Sequence, residues 1–239
     1  MNFRELLESM YDSTLEYHDT LNPILWEDDN LKSEVASKLL TIAYTWATFS
    51  KIPVDSIKDI IFVGGNANYN YTSASDIDLH LVVDMKELGT CKEVIHEYLK
   101  SKKQLWGLIH DIKIYGHNVE LYAQDVSVPY IEGQGVYSIL NNKWLVKPKH
   151  QNIDFDDVNV QKKVQDYKKH IDTLISSSAS DASFEGLKEK LRKMRASALE
   201  KGGEFAPENL AFKELRNAGY LDKLNDYFVS AQDKRLSLD

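Results

Sequence analysis

The sequence predicts an α+β protein: a small mixed β-sheet flanked by helices, followed by a helical C-terminal region. Three observations predict it. Between residues 57 and 124, short β-branched runs bounded by glycines alternate with one helical pattern. Before residue 50, apolar residues recur at helical spacing. After about residue 156 the pattern is helical again, without strand runs. This organisation divides the chain into residues 1–150, a sheet with N-terminal helices, and residues 151–239, a helical region.

The elements follow in order. Phe3, Leu6, Leu7, Met10, Tyr11 and Leu15 predict a helix over 3–20, broken at Asn22-Pro23. Asn30 is the expected N-cap of a second helix reaching about Ser50, with Pro53 just beyond it. IKDIIFV (57–63) reads as a strand stopped by Gly64-Gly65, and residues 77–84 as a second strand. Residues 86–103 read as a helix with Leu88, Val94, Ile95, Tyr98 and Leu99 as its buried stripe. Strands are expected over 111–115 and 118–124, joined at Gly116-His117, and a hairpin in GVYSILNNKWLVKP turning at Asn141-Asn142. Helices over 158–175 and 184–201 flank a polar loop, the second stopped by Gly202-Gly203. Pro207 opens helical turns through about Phe228, and the tail AQDKRLSLD is expected to fray.

Composition narrows the function. A single cysteine, Cys91, excludes an intrachain disulfide and a cysteine-based zinc site, and fits a reducing compartment. Acidic residues near the N-terminus replace the apolar core of a signal peptide, and LLTIAYTWATF (39–49) is too short to span a bilayer. A cytoplasmic protein without a membrane partner is therefore expected. The net charge of −8 disfavours a tight, nonspecific nucleic-acid binder. Residues 151–239 carry 15 Lys+Arg against 16 Asp+Glu, which leaves 14 against 21 in residues 1–150. The acidity thus lies in the half that suits metal ions.

The chemistry is concentrated in GGNANYNYTSASDIDLHLVV (64–83). Side chains alternate along a strand, so Ile77, Leu79, Leu81 and Val83 face a core while Asp76, Asp78, His80 and Val82 face the other way. Asp76 and Asp78 then lie roughly 6–7 Å apart at Cα by the strand rise. Carboxylates that close repel each other unless a cation neutralises them, and oxygen-only ligands select Mg²⁺ or Mn²⁺. Gly64-Gly65 forms a corner suited to cradling phosphate at the start of a short helix or turn, and Ser75 can donate a hydroxyl to a phosphate oxygen. Metal beside phosphate is the arrangement for phosphoryl or nucleotidyl transfer, with two ions holding attacking and leaving oxygens. Glu120 in NVELYAQD is the candidate third carboxylate; Asp111 is less well framed, and Asp84 and Asp125 sit at strand ends.

Several neighbours have a bland reading beside a functional one. Asn66 and Asn68 can line a nucleotide or build a tight turn. Tyr69 and Tyr71 can stack on a base or pack, and His80 is expected to be a hydrogen-bonded structural residue. Lys188, Arg192 and Arg195 in KEKLRKMR share a helix face that could meet a triphosphate or an RNA backbone, or simply be solvated. Trp144 and Lys147-Pro148-Lys149 are candidates to close one side of the cleft.

FVGGNANYNYTSASDIDLHLVVD resembles the signature of the DNA polymerase beta-type nucleotidyltransferase superfamily: an apolar strand, a Gly-Gly or Gly-Ser corner, about ten residues, then Asp-apolar-Asp-apolar. It is similar in particular to minimal nucleotidyltransferase-like proteins, including bacteriophage-encoded ones, for which the host cytoplasm would be the setting. The motif covers roughly residues 60–84 and the fold-level likeness reaches about residue 125. The resemblance implies a nucleotidyltransferase fold in which Asp76 and Asp78 bind two Mg²⁺ ions, Glu120 completes the set, and Gly64, Gly65 and Ser75 contact the triphosphate of a nucleoside triphosphate substrate such as ATP. Many members carry serine at the position of Gly65, so one hydroxyl is missing here. The implied activity is transfer of a nucleoside monophosphate to a hydroxyl acceptor with release of pyrophosphate. An RNA or other nucleic-acid end, a protein and a small molecule stay open as acceptors, as does the oligomeric state. The alternatives are a catalytically inactive binding or inhibitory protein on the same fold, and a pyrophosphokinase-like or phosphohydrolytic enzyme.

Overall fold

The computed structural model describes residues 14–89, 91–131, 133–150 and 157–238. By its internal contacts the chain divides into two units, one of residues 16–151 and one of residues 1–15 with 152–239. The first is α+β, with a mixed sheet and flanking helices, an architecture compatible with the nucleotidyltransferase fold that the sequence resemblance implied.

A two-stranded ribbon, β1 (Trp26–Glu27) and β2 (Asn30–Leu31), leads into helix α1 (Ser33–Phe49). The sheet is built from β3 (Ile57–Val63), β4 (Ile77–Val83), β5 (Lys113–Ile114), β6 (His117–Asp125), β7 (Val136–Ser138) and β8 (Lys143–Val146). Between β4 and β5 lie the short helix α2 (Met85–Leu88) and α3 (Lys92–Ile109). Strand order is β5-β6-β4-β3-β7-β8; β4 and β6 run parallel and every other neighbouring pair is antiparallel. The parallel pair is possible because α3 supplies the long crossover that such a pairing requires.

The alternation read from the sequence sorts the two sheet faces. Ile77, Leu79, Leu81 and Val83 are fully buried, and join Ile60 and Phe62 of β3, Val119 and Leu121 of β6, and Val35, Leu39, Ala43 and Trp46 of α1 in the main core. Fully burying side chains of this kind contributes roughly 1.5–3 kcal/mol each, which holds the register of β4 against slippage. On the other face Ile61, Val63, Val82 and Val136 form a smaller cluster. Asp78 and Glu120 lie on that face, beyond the cluster's apolar cover.

Several boundaries differ from expectation. Residues 3–13 of the first expected helix lie outside the described residues, and residues 14–20 are not helical. There, tertiary contacts win over local spacing: His18 N donates to Tyr69 O at 2.8 Å and its ring stacks on Tyr71. Asn30 does not cap α1 but pairs with Glu27 in the ribbon. The helix expected over 86–103 is split, and its second part runs on to Ile109 because Trp106 repeats the inward position of Leu99 two turns later. The strand expected over 111–115 is only two residues long. The hairpin forms between β7 and β8, with Asn142 at φ 48° in its turn.

The other unit is helical: α4 (Val158–Ser176), α5 (Asp181–Gly202), α6 (Pro207–Asn217) and α7 (Tyr220–Leu236) surround a core that includes Val164, Ile171, Phe184, Leu191, Leu215 and Leu224. Thr14 joins this unit by donating its backbone N–H and hydroxyl to Glu214. Of the tail expected to fray, residues 231–236 continue α7, where Arg235 pairs with Asp181, while Ser237 and Leu238 are not helical. No helix of the described residues is long and apolar enough to cross a membrane.

Candidate active site

The site begins where β3 ends. Val63 is the sheet partner of Asp78, so the residue after it, Gly64, emerges directly beside the Asp78 side chain. Gly64 has φ 83° and ψ −166°, a backbone conformation open almost only to glycine. A Cβ built on it would lie 1.9 Å from Asp78 Oδ2. The missing side chain is thus a condition for the close approach of backbone to carboxylate. A Cβ on Gly65 would lie 3.3 Å from Ser75 Oγ, so the second glycine brings the corner onto the serine. Residues 65–67 then make one 3₁₀ turn, closed by Ala67 N to Gly64 O and Asn68 N to Gly65 O. Any phosphate contact at this corner would therefore come from local backbone amides, without the summed dipole of a long helix.

On the far side of β4, Asp78 is in register with Glu120 of the parallel strand β6. In-register residues of neighbouring strands project to the same face, so the two carboxylates share it. Glu120 is exposed, and Lys103 of α3 donates to its Oε2 at 2.8 Å. Asp76 and Asp78 are half-buried. Among the described residues no group of three or more His, Cys, Asp or Glu side chains is gathered closely enough to hold a metal ion. The structure thus brings Asp78 and Glu120 to adjacent strand positions and brings Gly64 onto Asp78, but it does not gather the three acids at one point, and Glu120 is turned to a lysine.

Ser75 Oγ accepts the backbone N–H of Thr72 at 2.9 Å, which closes a tight turn, and lies 3.3 Å from Thr72 Oγ1, a contact in which either hydroxyl can donate. Asn66 is fully buried, and its amide donates to Ser75 O at 2.9 Å and Asp76 O at 3.1 Å. It therefore acts on the site from beneath instead of lining it. Asn68 is buried as well and donates to Gly133 O. Gly135 backs the corner from below: a Cβ there would lie 2.0 Å from Ala67 O.

The remaining candidates have internal partners. His80 Nδ1 bonds Gln124 Oε1 at 2.8 Å, and burial pushes its pKa below the ordinary value, with Lys103 adding to the effect; it is the structural histidine expected. Tyr69 stacks on His150 at 3.7 Å between ring centroids and Tyr71 on His18 at 3.9 Å, so both rings already have stacking partners. Trp144 stacks on Trp26 and donates to Asp29 O, and Lys147 pairs with Asp29 at 2.6 Å. In the helical unit Lys188 donates to Asn225 and Arg195 lies over the Phe212 ring. Asp84 caps α2, and Asp125 accepts from Ser127 and Met85 N, roles that suit strand ends. Asp111 pairs with Lys113.

Lys103, Gly135, Asn22 and His117 escape sequence reasoning. Only Gly135, in the glycine pair GQG, carries any signal of a close approach.

No family model matches the chain, and no curated protein matches it. A comparison with solved structures finds the STING-associated CdnE c-di-GMP synthase from Capnocytophaga granulosa, 13% identical over 89% of this chain and 89% of that chain, with a TM-score of 0.22. At that score the likeness carries no weight, and the functional reading rests on the residues themselves.

Proposed function

We propose that this chain is a nucleotidyltransferase of the polymerase beta type, moving a nucleoside monophosphate from a nucleoside triphosphate to a hydroxyl acceptor. The observation that carries the reading is the junction of β3 and β4: a glycine whose Cβ would overlap the Asp78 carboxylate, followed by a glycine set against Ser75 Oγ, with Asp78 in register with Glu120. A solvated edge strand has no need of a backbone folded onto its own acid.

The donor set fits a hard divalent cation. Asp76, Asp78 and Glu120 offer carboxylate oxygens, and the lone thiol, Cys91, lies beyond α2 at the start of α3. These three residues, which are not gathered at one point without an ion, would have to converge to hold Mg²⁺ or Mn²⁺, with Glu120 exchanging Lys103 for the ion. Once bound, the cation supplies neutralisation of the triphosphate charge and a lowered pKa for the acceptor hydroxyl. The glycine corner gives the phosphates an approach free of side chains, and Ser75 donates its hydroxyl proton to a phosphate oxygen while keeping its bond from Thr72 N. The acceptor oxygen bonds to the α-phosphorus as the bond to the α,β-bridging oxygen breaks. Pyrophosphate leaves with the displaced electron pair, and the hydroxyl proton passes to water.

The test uses the full chain with α- or γ-labelled ATP, GTP, CTP and UTP, Mg²⁺, and three acceptors: tRNA, the chain itself and glycerol. α-Label on an acceptor, lost in Asp76→Ala, supports the reading. γ-Label on an acceptor would show transfer of the terminal phosphoryl or pyrophosphoryl group and overturn it, as would the absence of any metal-dependent product.

A further inference from the structure

The backbone that delivers Ser75 and Asp76 is not part of the sheet. Pairing of β4 with β6 begins at Ile77, so the carbonyls of Ser75 and Asp76 lie before the ladder and need other partners. They find them in two buried side chains, Asn66 and His117, which a third, Asn22, links to each other. Asn22 is 3% exposed, Asn66 0% and His117 5%.

The hydrogen bonds fix every group in this cluster. Ile24 N donates to Asn22 Oδ1, so Asn22 Nδ2 faces inward as the donor. It bonds Asn66 Oδ1 at 2.8 Å and His117 Nε2 at 3.2 Å. An amide nitrogen only donates, so Nε2 accepts and the ring proton sits on Nδ1. Nδ1–H then donates to Ser75 O at 2.7 Å. Asn66 Nδ2 donates its two protons to Ser75 O and Asp76 O. The 3.4 Å approach of Asn66 Nδ2 to His117 Nδ1 is two donors converging on one carbonyl. Trp26 Nε1 donates to Asn66 O at 2.7 Å and holds the 3₁₀ turn in place.

We propose that Asn22, Asn66 and His117 are positioning residues for the metal–triphosphate site, a role that rests on the nucleotidyltransferase reading above. His117 opens β6 three residues before Glu120, while its ring grips the residue before Asp76. One side chain thus ties the two acid-bearing segments together, and Asn66 ties both to the glycine corner. Their function is to set where Ser75 Oγ and the Asp76 carboxylate point relative to Glu120. A purely structural cluster would contribute to unfolding stability alone.

Two near-isosteres separate these roles. His117→Asn places an amide N–H close to the position of Nδ1 and keeps the bond to Ser75 O. His117→Gln places its amide near the position of Nε2 and loses that bond. In the full chain, Mn²⁺ affinity is read by electron paramagnetic resonance with a non-hydrolysable nucleoside triphosphate, alongside hydrogen exchange of residues 74–78 and the Tm. The expected result is Mn²⁺ binding close to wild type in His117→Asn, and a loss of about 10- to 100-fold in His117→Gln, the range usual for groups that orient metal ligands. Exchange over 74–78 is faster only in His117→Gln, at similar Tm. Should His117→Gln not fold, Asn66→Ser removes the amide that donates to Ser75 O and Asp76 O, and the same loss is expected. Equal Mn²⁺ affinity in the two His117 variants, or an unchanged affinity in Asn66→Ser, overturns the positioning role and leaves the site reading standing. A wild-type chain that binds no Mn²⁺ overturns both.

Discussion

Gly64→Ala tests the junction on which the site depends. The perturbation acts twice. At φ 83° and ψ −166° a Cβ brings backbone strain of roughly 1–3 kcal/mol. The same Cβ falls 1.9 Å from Asp78 Oδ2, where ordinary contact begins at 3.4 Å, so carboxylate and corner must separate further by about 1.5 Å. Misplacing a group in a reacting centre by about 1 Å can lower turnover about 100-fold, so a loss of that order is expected. Urea unfolding reads the strain, and Mn²⁺ binding and α-label transfer read the displacement. Gly186→Ala is the control: nothing lies within 4 Å of its added Cβ in the middle of α5, and it stabilises the chain by about 0.5–1 kcal/mol. A Gly64→Ala protein with wild-type stability and wild-type Mn²⁺ affinity would refute the reasoning.

Three further perturbations follow from the same geometry. Gly135→Ala drives a Cβ to 2.0 Å from Ala67 O and is expected to cost about 1–3 kcal/mol in urea unfolding; a variant as stable as wild type would contradict the packing. Lys103→Gln removes an exposed partner of Glu120, so stability changes by less than about 1 kcal/mol and Mn²⁺ binds up to about fivefold tighter by calorimetry. Weaker binding in that variant would instead put the lysine's charge to work on the phosphates. Asp125 is held at about 2, chiefly by the Ser127 hydroxyl, against an ordinary value of 3.8. A depressed carboxylate contributes stability that is complete above its unfolded pKa and is lost as pH falls from about 4 through about 2. Ser127→Ala should therefore move acid unfolding, followed by circular dichroism, to higher pH, and an unmoved curve would contradict the assignment.

Much of the sheet was legible because its signals are local. Residues 57–63 are β-branched and end on two glycines, and the strand over 77–83 alternates cleanly, so both strands and the facing of Asp78 and His80 follow from residue types alone. The Asn141-Asn142 turn was legible for the same reason, since asparagine tolerates a positive φ. The parts that were not legible depend on partners far away in sequence. Asn22 and His117 read as turn residues, yet 95 positions apart they share one hydrogen bond beneath Ser75. The register that sets Asp78 beside Glu120 is a property of β4 and β6 together, and the lysine on Glu120 arrives from the crossover helix. Residues 14–20 depart from the helix their spacing predicts because tertiary contacts override local propensity.

The most direct test of the central claim is binding of a non-hydrolysable nucleoside triphosphate to the full chain by calorimetry, with and without Mg²⁺, in wild type and Asp78→Asn. The site described above predicts binding that requires Mg²⁺ and disappears in Asp78→Asn, while both proteins melt at similar temperature. Wild-type binding indifferent to Mg²⁺, or equal binding by the two proteins, would contradict it.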